Sequence, residues 1–198
     1  MSDKYRLGEY MQIVGVTLHR IVALRAGPWG PAGTVGGWIE TTRNLDQTGD
    51  AWVSGDARVS GDAWVSGDAW VSEDAWVSED ARVFGSAQIY GSARVYGSAR
   101  VFGDAQIASN TDWISCSPIG SRQDTLTAYR TDSGWEITTG CFRGDADAFE
   151  AAVRATHANG SPYRTEYLAA LALLRVRFAS RDQQEAGSRR EEEAWDGE

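Results

Sequence analysis

The chain has 198 residues, 42% hydrophobic and 11% aromatic, which suffices to bury a core and excludes a wholly disordered polymer. Twenty-two Gly against four Pro, without a period of three, exclude a collagen-like fibre. The net charge of −9 argues against coating duplex nucleic acid: seven Asp and two Glu against four Arg leave −5 on residues 49–108, and seven acids against three Arg leave −4 on residues 181–198.

No apolar run approaches the roughly 18 to 20 residues that cross a bilayer. Charges scattered through the first mildly apolar stretch, with no small-residue cleavage site, disfavour a secretory signal, so a cytoplasmic protein is expected. Cys116 and Cys141 are too few for a disulfide scaffold and lack metal-ligand spacing, so neither a metal nor a cofactor is expected.

Residues 1–36 read as an N-terminal cap. Ile13 and Val14 precede Gly15, and Leu18, Ile21, Val22 and Leu24 follow, predicting a β-hairpin that leads through a Gly/Pro loop into the next region. From Gly49 to Ala108 run ten uninterrupted hexads of the form GDAWVS. Their third position is always Ala and their fifth always Val or Ile, whereas the fourth is Trp, Arg or Gln. Residues two apart share a strand face, so Ala and Val/Ile point inward and the residue between them points out. Such units bury their apolar faces only by stacking, which predicts a solenoid. Three hexads make a triangular 18-residue coil. Extending the phase backward puts Ile39 and Leu45 at the inward Ala position, so residues 37–108 should form about four coils.

The 18-residue repeat predicts three outward columns: Trp52, Trp70, Gln88 and Gln106; Glu40, Arg58, Trp76 and Arg94; Asp46, Trp64, Arg82 and Arg100. Arg beside Trp in a column suits cation–π contact. Exposed indoles at Trp52, Trp64, Trp70 and Trp76 predict a partner-binding surface, joined by the aromatic corners Phe84, Tyr90, Tyr96 and Phe102 of the later hexads. In the early hexads Asp50 stacks over Asp68, Asp56 over Asp74 and Asp62 over Asp80. Such an acidic ladder suits a cation or imitates DNA, and nucleic acid enters only through that mimicry.

Residues 109–180 read as an α+β C-terminal domain that caps the solenoid. Leu126 to Tyr129 and Trp135 to Ile137 flank Asp132-Ser133-Gly134 as a hairpin. A first helix is expected from about Asp147 to His157, and a second opens at Ser161-Pro162 with Tyr167, Leu171, Leu174 and Phe178 on its apolar face. Gly120-Ser121-Arg122 with Asp124 offers donors to an anion, and Cys141 with His157 is a candidate nucleophile–base pair; Ser121, Arg122, Asp124, Cys141 and His157 are thus the candidate ligand residues. Residues 181–198 read as a disordered charged tail.

The run Val-Ser-Gly-Asp-Ala-Trp resembles the hexapeptide repeat of left-handed β-helix proteins, acyltransferases among them, and left-handedness is what that resemblance implies. The hexads contain no His of the kind those enzymes use, which disfavours acyl transfer. The chain as a whole, through LHRIVALR, GGWIETTRNLDQTGDAWV and IGSRQDTLTAYR…GCFRG…ATHANG…EYL, resembles phage and prophage hexapeptide-repeat proteins of poorly defined function. The fold expected is therefore mainly β: a left-handed triangular β-helix between a β-hairpin cap and an α+β cap. The function expected is that of a non-enzymatic phage protein in the host cytoplasm. It would bind a host protein, such as a defence component, and form a homo-oligomer. The alternatives are an enzyme (a diverged acyltransferase or a Cys/His hydrolase) and a self-assembling structural solenoid.

Overall fold

The computed structural model describes residues 3–13 and 15–195, with side chains as far as Ala179. Met1 and Ser2 of the N-terminal cap, Val14 of its hairpin and residues 196–198 of the tail lie outside the described residues. Strands β1 (Tyr5–Ile13) and β2 (Val16–Ala23) form the expected antiparallel hairpin, and β2 pairs antiparallel with β3 (Val35–Ile39).

The hexads fold into ten two-residue strands: β4 (Trp52–Val53), β5 (Arg58–Val59), β6 (Trp64–Val65), β7 (Trp70–Val71), β8 (Trp76–Val77), β9 (Arg82–Val83), β10 (Gln88–Ile89), β11 (Arg94–Val95), β12 (Arg100–Val101) and β13 (Gln106–Ile107). Each pairs in parallel with the strand three places before or after it, and β5 also pairs with β3, giving the stacks β3-β5-β8-β11, β4-β7-β10-β13 and β6-β9-β12. The result is a β-solenoid of about four turns. Strands this short persist because each is bonded to the next coil at both ends, as in Trp52 N–H to Ala69 O and Ser54 N–H to Val71 O. All ten hexad Ala residues and all ten Val/Ile residues are at most 1% exposed. The alternation of inward and outward residues is therefore as the sequence predicts.

The first coil departs from the predicted phase. Trp38 pairs with Arg58 and Ile39 with Val59, while Leu45 bridges Val65. Ile39 and Leu45 thus occupy the Val/Ile position and not the Ala position, and Trp38 and Asn44, not Glu40 and Asp46, head the second and third columns. Ile and Leu match the volume of Val or Ile; at an Ala site they would overfill the interior. By Val53, which pairs with Val71, the 18-residue spacing is restored, so the extra chain lies in the corner 46–50. That corner is held by Lys4, whose backbone N–H donates to Gln47 Oε1 at 2.8 Å and whose Nζ donates to Ala51 O at 2.8 Å. Asp46 closes it locally by accepting from Thr48 N–H and Oγ1 at 3.0 and 2.9 Å.

Beyond the hexads, β14 (Trp113–Ile119), β15 (Asp124–Thr131), β16 (Gly134–Thr139) and β17 (Phe142–Gly144) form an antiparallel sheet in that order. The expected hairpin is its centre; β14 and β17 were not foreseen. Helix α1 (Ala146–Thr156) starts where Asp145 accepts from Ala148 N–H at 2.8 Å, and buries Phe149 and Val153. Helix α2 begins at Pro162, and its Tyr167, Leu171, Leu174 and Phe178 join those two residues and Leu126 and Ile137 of the sheet in one core. The helix extends to Trp195, so the stretch 181–195 continues α2 and is not the disordered tail expected. That stretch has no Pro and is rich in Glu, Arg, Gln and Ala, all of which favour helix.

Both ends of the solenoid are covered. Below, Arg100 N–H donates to Thr127 Oγ1 at 3.1 Å, and Thr138 Oγ1 donates to Arg100 O at 3.2 Å. Arg94 N–H donates to Asn110 Oδ1 at 2.7 Å. Side chains thereby satisfy groups of the last coil that have no further coil to pair with. Above, Tyr5, Ile21 and Trp29 enter the solenoid core, and Lys4 takes the Ala51 carbonyl.

Candidate functional site

The four hexad indoles do not form one exposed stripe. Trp52 is 1% exposed, because Trp29 stacks on it with centroids 4.7 Å apart and Tyr5 meets it edge-on. Trp70 and Trp76 are half-buried, and their Nε1 atoms donate to Ser54 Oγ at 3.1 Å and Ser60 Oγ at 3.0 Å, the corner serines one coil above. Trp64 differs. Its counterpart of those serines is Asp46, which follows Leu45 as Ser54 follows Val53, and Asp46 is bonded to Thr48 instead. Trp64 remains 41% exposed.

The aromatic corners are largely adhesive within the chain. Phe84 stacks on Phe102 at 4.7 Å, and Phe102 is covered by Tyr129 and by the Arg143 guanidinium. Tyr96 keeps 51% exposure although its ring meets Trp113 edge-on, and Tyr90 is half-buried. The predicted Arg–Trp contacts within columns are replaced by contacts from the flanks, such as Arg20 over Trp38 at 4.3 Å. In the acidic corners, Asp56 meets Arg20 at 3.1 Å. Glu73 and Glu79, which replace Gly and take positive φ of 59° and 60°, accept from Gly91 N–H at 2.9 Å and Gly97 N–H at 2.8 Å in the next coil. These carboxylates serve as ladder rungs. Among the described residues no group of three or more His, Cys, Asp or Glu is arranged to hold a metal ion, and no helix is long and apolar enough to cross a membrane.

Around Trp64 lies an open groove of about 540 Å³ that also involves Arg43, Asp46, Asp62 and Arg82. It sits at the Leu45–Val65 bridge between the first and second coils, beside the enlarged corner. An indole there is flanked by two guanidinium groups and two carboxylates.

A second concavity, of about 280 Å³, lies between the C-terminal sheet and its helices. It brings together all five candidate ligand residues: Ser121, Arg122, Asp124, Cys141 and His157. Arg122 comes from the turn between β14 and β15, Asp124 from the first position of β15, Cys141 from the turn between β16 and β17, and His157 from the C-cap of α1. A β-carbon placed on Gly140 would lie 3.5 Å from Arg122 Nη1 and 3.7 Å from Asp124 Oδ2, so both charged ends converge over that turn. The expected anion cradle is changed in one respect: Gly120 N–H already donates to Glu166 Oε2 at 2.9 Å. Cys141 and His157 share the cavity without a hydrogen bond, and the imidazole instead stacks on Tyr167 at 5.7 Å and tilts against Tyr163. Burial pushes the Tyr167 hydroxyl up from its ordinary pKa.

Lys4, Trp29, Thr127 and Thr138 were missed as structural determinants, since each acts on a partner at least 11 residues away.

A family model described as the YdcK beta solenoid repeat matches residues 51–67 and 87–103. The hexads are accordingly a β-helix type of repeat. No curated protein matches the chain.

Proposed function

We propose that the chain is a non-enzymatic interaction protein, a rigid solenoid that docks another protein on the groove around Trp64. The observation that carries this reading is the contrast among the indoles: Trp52 is buried and Trp70 and Trp76 are hydrogen-bonded within the chain, whereas Trp64 is exposed beside Arg82. Trp and Arg are the side chains in which interface energy concentrates. The alternation of Arg43 and Arg82 with Asp46 and Asp62 suits a protein surface of mixed charge better than a phosphate backbone. The three strand stacks support the triangular form of the solenoid. Left-handed winding, a phage origin in the host cytoplasm and action on a host defence component complete the reading through the resemblance of the sequence to phage hexapeptide-repeat proteins. The ends, covered by other elements, favour docking of a partner over open-ended stacking.

The test compares the wild type with a Trp64→Ser, Arg82→Ala double variant. Affinity capture from host lysate and light scattering of the purified protein should show a stoichiometric partner, or a self-complex, that the variant loses while its melting temperature is unchanged. A partner retained by the variant would overturn the assignment to this groove.

A further inference from the structure

We infer that the C-terminal cavity is a binding site for a small zwitterion of amino-acid type, one carrying a carboxylate and an ammonium close together on an apolar or aromatic body. The inference is independent of the docking surface on the solenoid.

Three observations carry it. First, Arg122 Nη1 and Asp124 Oδ2 both face Gly140 at the cavity, 3.5 and 3.7 Å from where its β-carbon would stand, and the described ion pairs do not join them to each other. Two opposite charges held near but apart select a ligand that presents both signs. A free phosphate would meet the Asp124 carboxylate, and a simple amine would meet the Arg122 guanidinium. Second, the lining also includes an apolar and aromatic group, Phe142, Phe149, Val153 and the Tyr167 ring. Those rings are fixed by edge contacts, Phe142 on Phe149 at 5.2 Å and Phe149 on Tyr167 at 5.7 Å, so the wall exists before any ligand arrives. Third, about 280 Å³ is at the small end of ligand cavities and suits a body of about a dozen non-hydrogen atoms. The size excludes a dinucleotide and fits a single free amino acid with a leucine-like or phenylalanine-like side chain.

In this arrangement the guanidinium takes the carboxylate and Asp124 accepts from the ammonium, while the side group enters between Phe142, Val153 and Tyr167. Asp124 retains an oxygen for this although its Oδ1 accepts from Thr125 N–H at 2.8 Å, because the atom facing Gly140 is Oδ2. Cys141, an exposed free thiol on the same wall, reports occupancy.

The experiment uses the full chain with Cys116→Ser, so that Cys141 is the one thiol, and L-phenylalanine and L-leucine as probes at millimolar concentration. Phenylpropionate, which lacks the ammonium, and phenethylamine, which lacks the carboxylate, are the half-ligands. The expected result is that a zwitterion slows iodoacetamide labelling of Cys141 at least threefold and raises the melting temperature by a few degrees. Each half-ligand should need at least tenfold more to do so. Arg122→Gln, at an exposed residue, and Asp124→Asn, which keeps an oxygen for Thr125 N–H, should melt as the parent does without ligand and lose the protection. Equal protection by the half-ligands, equal protection in the two variants, or no protection by either amino acid at 10 mM would each overturn the inference. A variant that fails to fold leaves the half-ligand comparison on the parent protein to decide.

Discussion

Lys4 offers a quantitative test of how the upper end of the solenoid is closed. Its side chain is fully buried, with Nζ donating to Ala51 O at 2.8 Å and Thr48 O at 3.4 Å. Desolvation, only partly offset by the Asp46 carboxylate, pulls its pKa from 10.5 to about 8. Below pH 8 the folded and unfolded chains both carry the proton, and folding bears the whole cost of burying the charge. As pH rises from about 8 towards 10.5, the folded chain has released a proton that the unfolded chain still binds, so stability increases with pH through that window. The interval is worth roughly 3 kcal/mol in all, most of it present by pH 10. Lys4→Met keeps the apolar stem and removes the titration. The unfolding free energy of the wild type minus that of the variant, from urea melts, should rise by roughly 2 kcal/mol between pH 7 and pH 10. That corresponds to about 1 M in midpoint for a typical urea dependence. Groups that titrate in both proteins cancel in the difference. A difference that is flat or falls across the window refutes the burial of a charged Lys4.

Two further substitution sets test the buried indole and the lower edge of the solenoid. Trp52→Ser should cost about 3 to 5 kcal/mol, because it empties a site stacked by Trp29, whereas Trp64→Ser should stay within about 0.5 kcal/mol of the wild type; equal losses in thermal melts would contradict the contrast between them. Thr127→Val with Thr138→Val should cost about 2 to 4 kcal/mol by stripping the side-chain caps from Arg100 N–H and O, and should increase light scattering as the lower edge becomes available; a monodisperse variant of unchanged stability would show that those bonds are dispensable.

The repeat was legible in the sequence because its information is local. Ala at one inward position and Val or Ile two residues later recur every six residues, and the narrow interior accepts nothing much larger, so hexad phase alone assigns inside and outside from Gly49 to Ala108. Ser161-Pro162 and the periodic Tyr167, Leu171, Leu174 and Phe178 similarly announced the second helix and the face that packs on the sheet. The five ligand candidates were legible as residue types, and folding then gathered them into one cavity.

What the sequence by itself determined, then, was everything that repeats: the solenoid, its inward residues and its register from the second coil onward. Tertiary structure decided what happens where the repeat stops. The first coil gained extra chain in its corner because Lys4 and Gln47 hold it open, and that shift moved Asp46 into the place of a corner serine and left Trp64 without the partner its siblings have. Trp52 is chemically the same residue in the same hexad position, yet it is buried because the loop carrying Trp29 folds over it. Burial of an outward side chain depends on which distant segment packs there, and that segment carries no periodic signal.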